Sequence, residues 1–199
     1  NEVHVGGFEA RAGYPLNKCR WFSFALNPSN APWAFARKGE AYRAIASLEL
    51  FATLLCVMLF VEECECDCQT YLQMSGVTDN RGNEALVQKN MSSKVPLYII
   101  LLELTEQLQA RNLQLDLHWQ RRDRNQAADD LTNGKFDEFD SSKRINPSLE
   151  DLPWRVLPGL MKEAEALHVL VQEKRQGKKI KSHGVSAKQK AERRPKKRK

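Results

Sequence analysis

Ser75-Gly76-Val77-Thr78-Asp79-Asn80 is a short run of small and apolar residues that stops on a carboxylate and an amide. The approach to it, Gln69 to Thr78, alternates only weakly between apolar and polar residues, as expected of an interior strand covered on both faces. Arg81 to Lys89 then reads as a short helix. Asp79 is thus placed at the carboxyl end of a strand, where sheets with helices packed on them tend to put their ligands. An acidic residue at a strand end is a weak signal alone. It gains weight from Glu49-Leu50-Phe51-Ala52 upstream and Asn125-Gln126-Ala127-Ala128-Asp129-Asp130-Leu131 downstream. Together these put three separated carboxylates on a helix, a strand end and a second helix.

Upstream of this stretch, Glu2 to Ala10 reads as a strand interrupted by Gly6-Gly7, where the backbone bends or another segment comes close. Tyr14 to Asn17 is a turn, and Cys19 to Leu26 is a second, aromatic-rich strand. The prolines of Asn27 to Pro32 stop either element from continuing, so the first region is an antiparallel hairpin. From about Lys38 to Glu63 the period becomes helical, with Leu48, Ala52, Leu55 and Leu59 on one face. Glu49 lies one step round from that stripe. It either looks across at a neighbouring strand end or points outward to solvent.

Downstream, a helix from Val95 or Pro96 to Arg111 turns Leu97, Ile100, Leu101, Leu104 and Leu108 inward. Leu113, Leu115, Leu117 and Trp119 alternate with polar residues, the pattern of a half-exposed strand. Arg121-Arg122-Asp123-Arg124 leads into a helix from about Asn125 to Leu131. Asp129 and Asp130 are about 100° apart on that helix, so they cannot face one point. The order is strand, strand, helix, strand, helix, helix, strand, helix: an α/β domain over residues 1–133 with a mixed sheet flanked by helices. Residues 134–176 read as a linker, on which Phe136, Phe139, Trp154 and Val156 could dock and Pro158 to Gln176 could add a helix. Residues 177–199 read as a disordered tail.

Charge separates these parts. The net charge is +6, but residues 172–199 carry +11, leaving a mildly acidic body of −5. A basic tail on an acidic domain argues for a nucleic-acid or address function. Ala44 to Val61 approaches membrane-spanning length, but Glu49 inside it and the acidic run that follows favour a buried core helix over a membrane role. Five cysteines without a signal peptide suggest free thiols in a reducing compartment. Cys64, Cys66 and Cys68 invite a metal reading, yet lack nearby His, and alternate residues entering a strand explain them as well.

Glu49-Leu50-Phe51-Ala52, Thr78-Asp79-Asn80 and Asn125-x-x-Ala128-Asp129-x-Leu131 resemble, in order and spacing, motifs of type 1 ribonuclease H, in the form attached to retroelement (retrotransposon) reverse transcriptases. The resemblance covers roughly residues 1–133. It implies a ribonuclease H-like fold, hydrolysis of RNA in RNA–DNA hybrids, and a two-metal magnesium site with Glu49, Asp79 and Asp129 as catalytic residues and metal ligands. It also implies an upstream reverse transcriptase domain. The family carries an Asp on its first strand, whereas no Asp precedes Asp67 here. Gly6-Gly7-Phe8 resembles the opening of the family's second strand, so the first strand is expected to be incomplete or missing and the chain an N-terminally truncated fragment. The site would then lack one ligand. No His stands in the loop before the last helix, and His118 is read as structural.

Nucleic-acid contacts are expected from Asn80, Arg121, Arg122, Arg124 and Asn125, and from Arg193, Arg194, Lys196, Lys197 and Arg198 in the tail. The tail cluster also resembles a nuclear import signal, so the localisation is nuclear or cytoplasmic, the tail favouring the nucleus. The alternative function is a catalytically dead, retroelement-derived nucleic-acid-binding module. A third possibility is an unrelated acidic α/β domain.

Overall fold

The computed structural model describes residues 2–36, 44–63 and 71–166. Cys64, Cys66, Cys68 and the expected basic tail lie outside them, as does most of the helix read to Gln176. The chain forms two units, Asn1–Pro158 and Gly159–Lys199. In the second, residues 159–166 are helical.

The first unit is mixed α/β. Strands β1 (Val3–Phe8) and β2 (Trp21–Leu26) form an antiparallel pair, in which Val3 faces Leu26 and Phe8 faces Trp21. A single turn, α1 (Pro32–Phe35), follows, and then the long helix α2 (Ile45–Phe60). Strand β3 (Leu72–Thr78), helices α3 (Arg81–Lys89) and α4 (Leu97–Ala110), strand β4 (Leu113–Trp119) and helix α5 (Gln126–Thr132) complete the order. β3 and β4 pair in parallel, Leu72 opposite Leu113 and Thr78 opposite Trp119.

The hydrophobic pattern accounts for most of these elements, and Asn80 fixes one boundary: its side-chain oxygen accepts from the Gly82 and Asn83 amides and caps α3. At the far end of α3, Asn90 adopts a left-handed conformation (φ 48°) and ends the helix.

Three expectations need correction. The strands do not form one mixed sheet. Among the described residues they make two separate two-stranded sheets, because no strand joins β1 to β3. Nor is β3 an interior strand: Leu72, Gln73, Ser75 and Val77 are exposed. With one neighbour instead of two, β3 lacks the cover its apolar composition suggests. The stripe read on α2 is also too narrow. Leu48 and Leu55 are buried, but so are Leu50, Phe51, Leu54, Val57 and Met58, since the helix packs on both α4 and β1.

The β1–β2 pair is covered on both faces, and the two glycines of β1 set how closely. A Cβ on Gly7 would lie 2.5 Å from Cys56 Sγ of α2, and one on Gly6 would lie 2.8 Å from Leu131 Cβ of α5. Successive residues of a strand point to opposite faces, so α2 sits against one side of β1 and α5 against the other. β2 repeats the division. Phe22 packs on Phe60 of α2, while Trp21 joins Leu131 and Phe139 on the α5 side.

The compact unit continues past Asn133 to Pro158. Phe136 and Phe139 pack on Trp21, the Trp21 indole donates to the Asp140 carbonyl (2.8 Å), and the Ile145 amide donates to the Trp21 carbonyl (2.8 Å). A parallel bridge between Trp21 and Arg144 lays this segment along the outer edge of β2.

Gly7→Ala is expected to lower stability by about 1–3 kcal/mol through overpacking. Adding Cys56→Ala should restore most of the loss by removing the sulfur the new methyl would strike. Urea unfolding of the two single variants and the double variant measures the coupling.

Candidate functional site

The three sequence-selected carboxylates reach one cavity of about 740 Å³. Glu49 enters from the first turns of α2, Asp79 from the residue after β3, and Asp129 from α5. Asp130 turns away, taking a hydrogen bond from Gln126 (2.9 Å) and an ion pair with Lys135 (3.8 Å). The helical offset separates the two aspartates, and Asp129 is the one on the cavity side.

The side chain of Arg122 reaches both Asp79 and Asp129. Its Nε lies 3.1 Å from Asp79 Oδ2 and 3.8 Å from Asp129 Oδ1. The guanidinium is largely exposed, and a 3-10 turn over Arg122–Arg124 presents it. Asp129 is steadied from its own helix end by the Asn133 amide (3.1 Å).

Glu49 is the buried member. One of its oxygens, Oε2, is buried with no hydrogen-bond partner among the described residues. Burial pushes its carboxyl above the ordinary range and the Asp79 charge adds to this, against the opposing effects of an Asn80 hydrogen bond and the Arg122 charge. Since the Asn80 oxygen is occupied by the start of α3, its amide nitrogen is what remains to serve Glu49. Asn80 therefore ties the β3 end to α2.

The rim of the β3 end is aromatic and basic. The Trp119 indole donates to the Asp79 carbonyl (3.1 Å), and the Trp119 amide donates to Glu84 (2.9 Å). Arg81 stacks over the Trp119 ring, its Cζ 3.9 Å from the centroid. The sequence reading missed this pair because its members are distant in sequence and share no motif. Of the residues expected to contact nucleic acid, Arg124 and Asn125 line the cavity, whereas Arg121 is exposed and paired with Asp123 (3.3 Å). Arg122 and Asn80 have partners inside the site. His118 is exposed beside Asp116 (3.2 Å), away from the cavity lining.

The donor chemistry suits a hard divalent cation: carboxylate oxygens, one of them buried and unpartnered. The set is incomplete, since among the described residues no three His, Cys, Asp or Glu side chains are gathered closely enough to hold a metal ion. Also among them, no helix is long and apolar enough to cross a membrane. Compared with protein-family models, curated proteins and solved structures, the chain matches none.

Glu49→Gln tests the electrostatic account. A carboxyl whose pKa is raised by folding costs nothing below its unfolded value, near 4.5. It destabilises the fold as pH rises through the higher folded value. The variant should therefore be more stable than the parent at pH 7, by on the order of 1 kcal/mol. The difference should vanish below about pH 4, as read by chemical denaturation at both pH values.

Proposed function

We propose that the first unit is a ribonuclease H-like domain from a retroelement-derived polyprotein, built for magnesium-dependent hydrolysis of RNA in RNA–DNA hybrids. The observation that carries this reading is the convergence of Glu49, Asp79 and Asp129, from three separate elements, on one cavity. Their order and motifs are those for which the sequence resembles that family.

In this reading Asp79 and Asp129 would hold magnesium, with Glu49 supplying the buried oxygen. When bound, magnesium would supply activation of the attacking water and stabilisation of the leaving oxygen. The chain's own groups supply placement. Asn80 orients Glu49, and the Trp119 indole, held under Arg81, fixes the Asp79 backbone. Arg122 offsets the repulsion between Asp79 and Asp129. Once released, its guanidinium suits a phosphate oxygen, as do those of Arg121 and Arg124 beside it. A 2′-hydroxyl contact would distinguish RNA from DNA. The missing ligand would be an Asp on a further strand, and a reverse transcriptase domain would precede it. The basic residues beyond 176 would add phosphate contacts or a nuclear address.

A second reading is favoured by the Arg122 contacts. A guanidinium already neutralising Asp79 and Asp129 is what a domain that binds nucleic acid without cutting it would retain.

Isothermal titration with magnesium, with parallel assays on a labelled RNA–DNA hybrid, separates the readings. Asp79→Asn is expected to weaken magnesium binding at least tenfold while leaving the thermal midpoint within a few degrees. Unchanged affinity would sink the metal site. Hybrid binding without magnesium-dependent cleavage, in a chain extended to supply an upstream Asp, would favour the binding module.

A further inference from the structure

Arg81, the first residue of α3, stands two residues after Asp79 and is exposed. Its guanidinium lies over the Trp119 ring, Cζ 3.9 Å from the centroid. The half-buried ring beneath it is fixed at several points. The indole donates to the Asp79 carbonyl (3.1 Å), the Trp119 amide donates to Glu84 (2.9 Å), and the next amide, of Gln120, donates to the Thr78 carbonyl (2.8 Å). A carboxylate three residues further along a helix is a natural partner for an arginine, and Glu84 has that place relative to Arg81. Glu84 instead accepts from the Trp119 amide, and among the described residues Arg81 has no carboxylate partner and no hydrogen bond from its guanidinium. Its neighbours around the site differ: Arg122 is held by Asp79 and Asp129, and Arg121 by Asp123.

Stacking on a ring engages the face of a guanidinium and leaves the N–H donors along its edges free. Those donors lie in one plane and match two oxygens of a phosphate group. The ring also restricts a long side chain before any ligand arrives, which lowers the entropy lost on binding. The place of Arg81 says which phosphate it suits. Asp79 and Asp129 line the cavity, and Arg81 does not. A phosphate held by Arg81 is therefore not the one beside the carboxylates. A single ligand reaches both places only if it carries phosphates in series, as a polynucleotide strand does.

We propose that Arg81, laid on Trp119, is a positioning residue that holds a backbone phosphate flanking the one at the carboxylates, and so selects a polynucleotide strand over a mononucleotide. This role rests on the reading of the cavity as a nucleic-acid site, and it adds a contact outside the cavity. It needs no metal, because the guanidinium is already free and already oriented. Trp119 links the two places: its ring carries Arg81 and its indole holds the Asp79 backbone, so a phosphate bound at Arg81 is set at a fixed offset from the end of β3.

The test uses residues 1–199 and the variants Arg81→Gln and Arg81→Lys, without magnesium. The Arg81 Nε–H resonance, identified by its loss in Arg81→Lys, is followed by NMR during titration with an RNA–DNA hybrid, a DNA duplex and adenosine monophosphate. Affinity for both duplexes is measured over a range of salt concentrations. The resonance is expected to move with at least one duplex and not with the mononucleotide at equal phosphate concentration. Arg81→Gln should weaken binding of that duplex by about tenfold and lower its salt slope by about 0.9, and Arg81→Lys should restore the slope. Phosphate contacts made elsewhere, including any from the basic residues beyond 176, are common to the three proteins and cancel in the comparison. A resonance unmoved at saturation, or a salt slope unchanged in Arg81→Gln, would overturn the role. Equal movement with the mononucleotide would overturn it too, since the contact would then need no strand. Magnesium-dependent cleavage with Arg81 unmoved would remove this role and leave the nuclease reading standing. Arg81 engaged by a hybrid that is never cut would sustain the role and favour the binding module. Binding of neither duplex would remove both.

Discussion

The arrangement of this domain depends on two missing β-carbons. Gly6 and Gly7 let β1 lie between Leu131 of α5 and Cys56 of α2 at separations no side chain would allow. Because neighbouring residues of a strand face opposite ways, one dipeptide sets the approach of both helices. The placement of the carboxylates follows, since Glu49 is two turns before Cys56 on α2 and Asp129 is two residues before Leu131 on α5. Glycine in a strand normally weakens it. Here that cost is set against close packing on both faces. It also leaves Cys56 in surroundings where burial pushes its thiol up to about 12.

Electrostatics then shapes what the packing brings together. Three carboxylates around one cavity repel, and the site relieves this in different ways. Asp79 and Asp129 share Arg122, which is exposed and able to leave. Glu49 has the Asn80 amide and a raised affinity for its proton. Binding a cation would remove both the need for Arg122 and the reason for Glu49 to hold a proton. A hard cation, if the site takes one as proposed, would compete with the arginine for the same oxygens.

Much of this was legible in the sequence, for identifiable reasons. The bounds of α3 read from the sequence, Arg81 to Lys89, are those that the Asn80 cap and the left-handed Asn90 set, and β4 follows from strict alternation between Leu113 and Trp119. That Asp129 and Asp130 could not both face the site follows from helical geometry, and the motif resemblance chooses Asp129. What escaped depended on contacts between distant segments. Phe136 and Phe139 read as able to dock, but they stand in a polar stretch with no period, so their partner Trp21 emerges only in the fold. Arg122 reads as one basic residue among three until the fold sets it against Asp79. The division of the sheet was hidden for another reason. The composition of β3 describes a strand with neighbours on both sides, and in these residues it has one.

That mismatch explains how the domain distributes its hydrogen bonding. Around α4, buried polar groups are heavily paired. Glu103, fully buried on α4, accepts from the amides of Arg155, Val156 and Leu157, and from Gln107 (2.6 Å). Gln107 in turn accepts from Arg111 (2.6 Å), which also bonds the Val61 carbonyl beyond α2 (2.8 Å). Such a network is stabilising when its members are satisfied, and it fastens α2, α4 and the 153–157 segment together. Between β1 and β3, backbone pairing plays no such part. α2 packs on both β1 and β3, so the half-sheets keep their relation through helix packing rather than through a ladder. Helix packing has no register, whereas a ladder does. What relates Asp79 to Asp129 is therefore side-chain contact, Arg122 set against both carboxylates, rather than a backbone ladder.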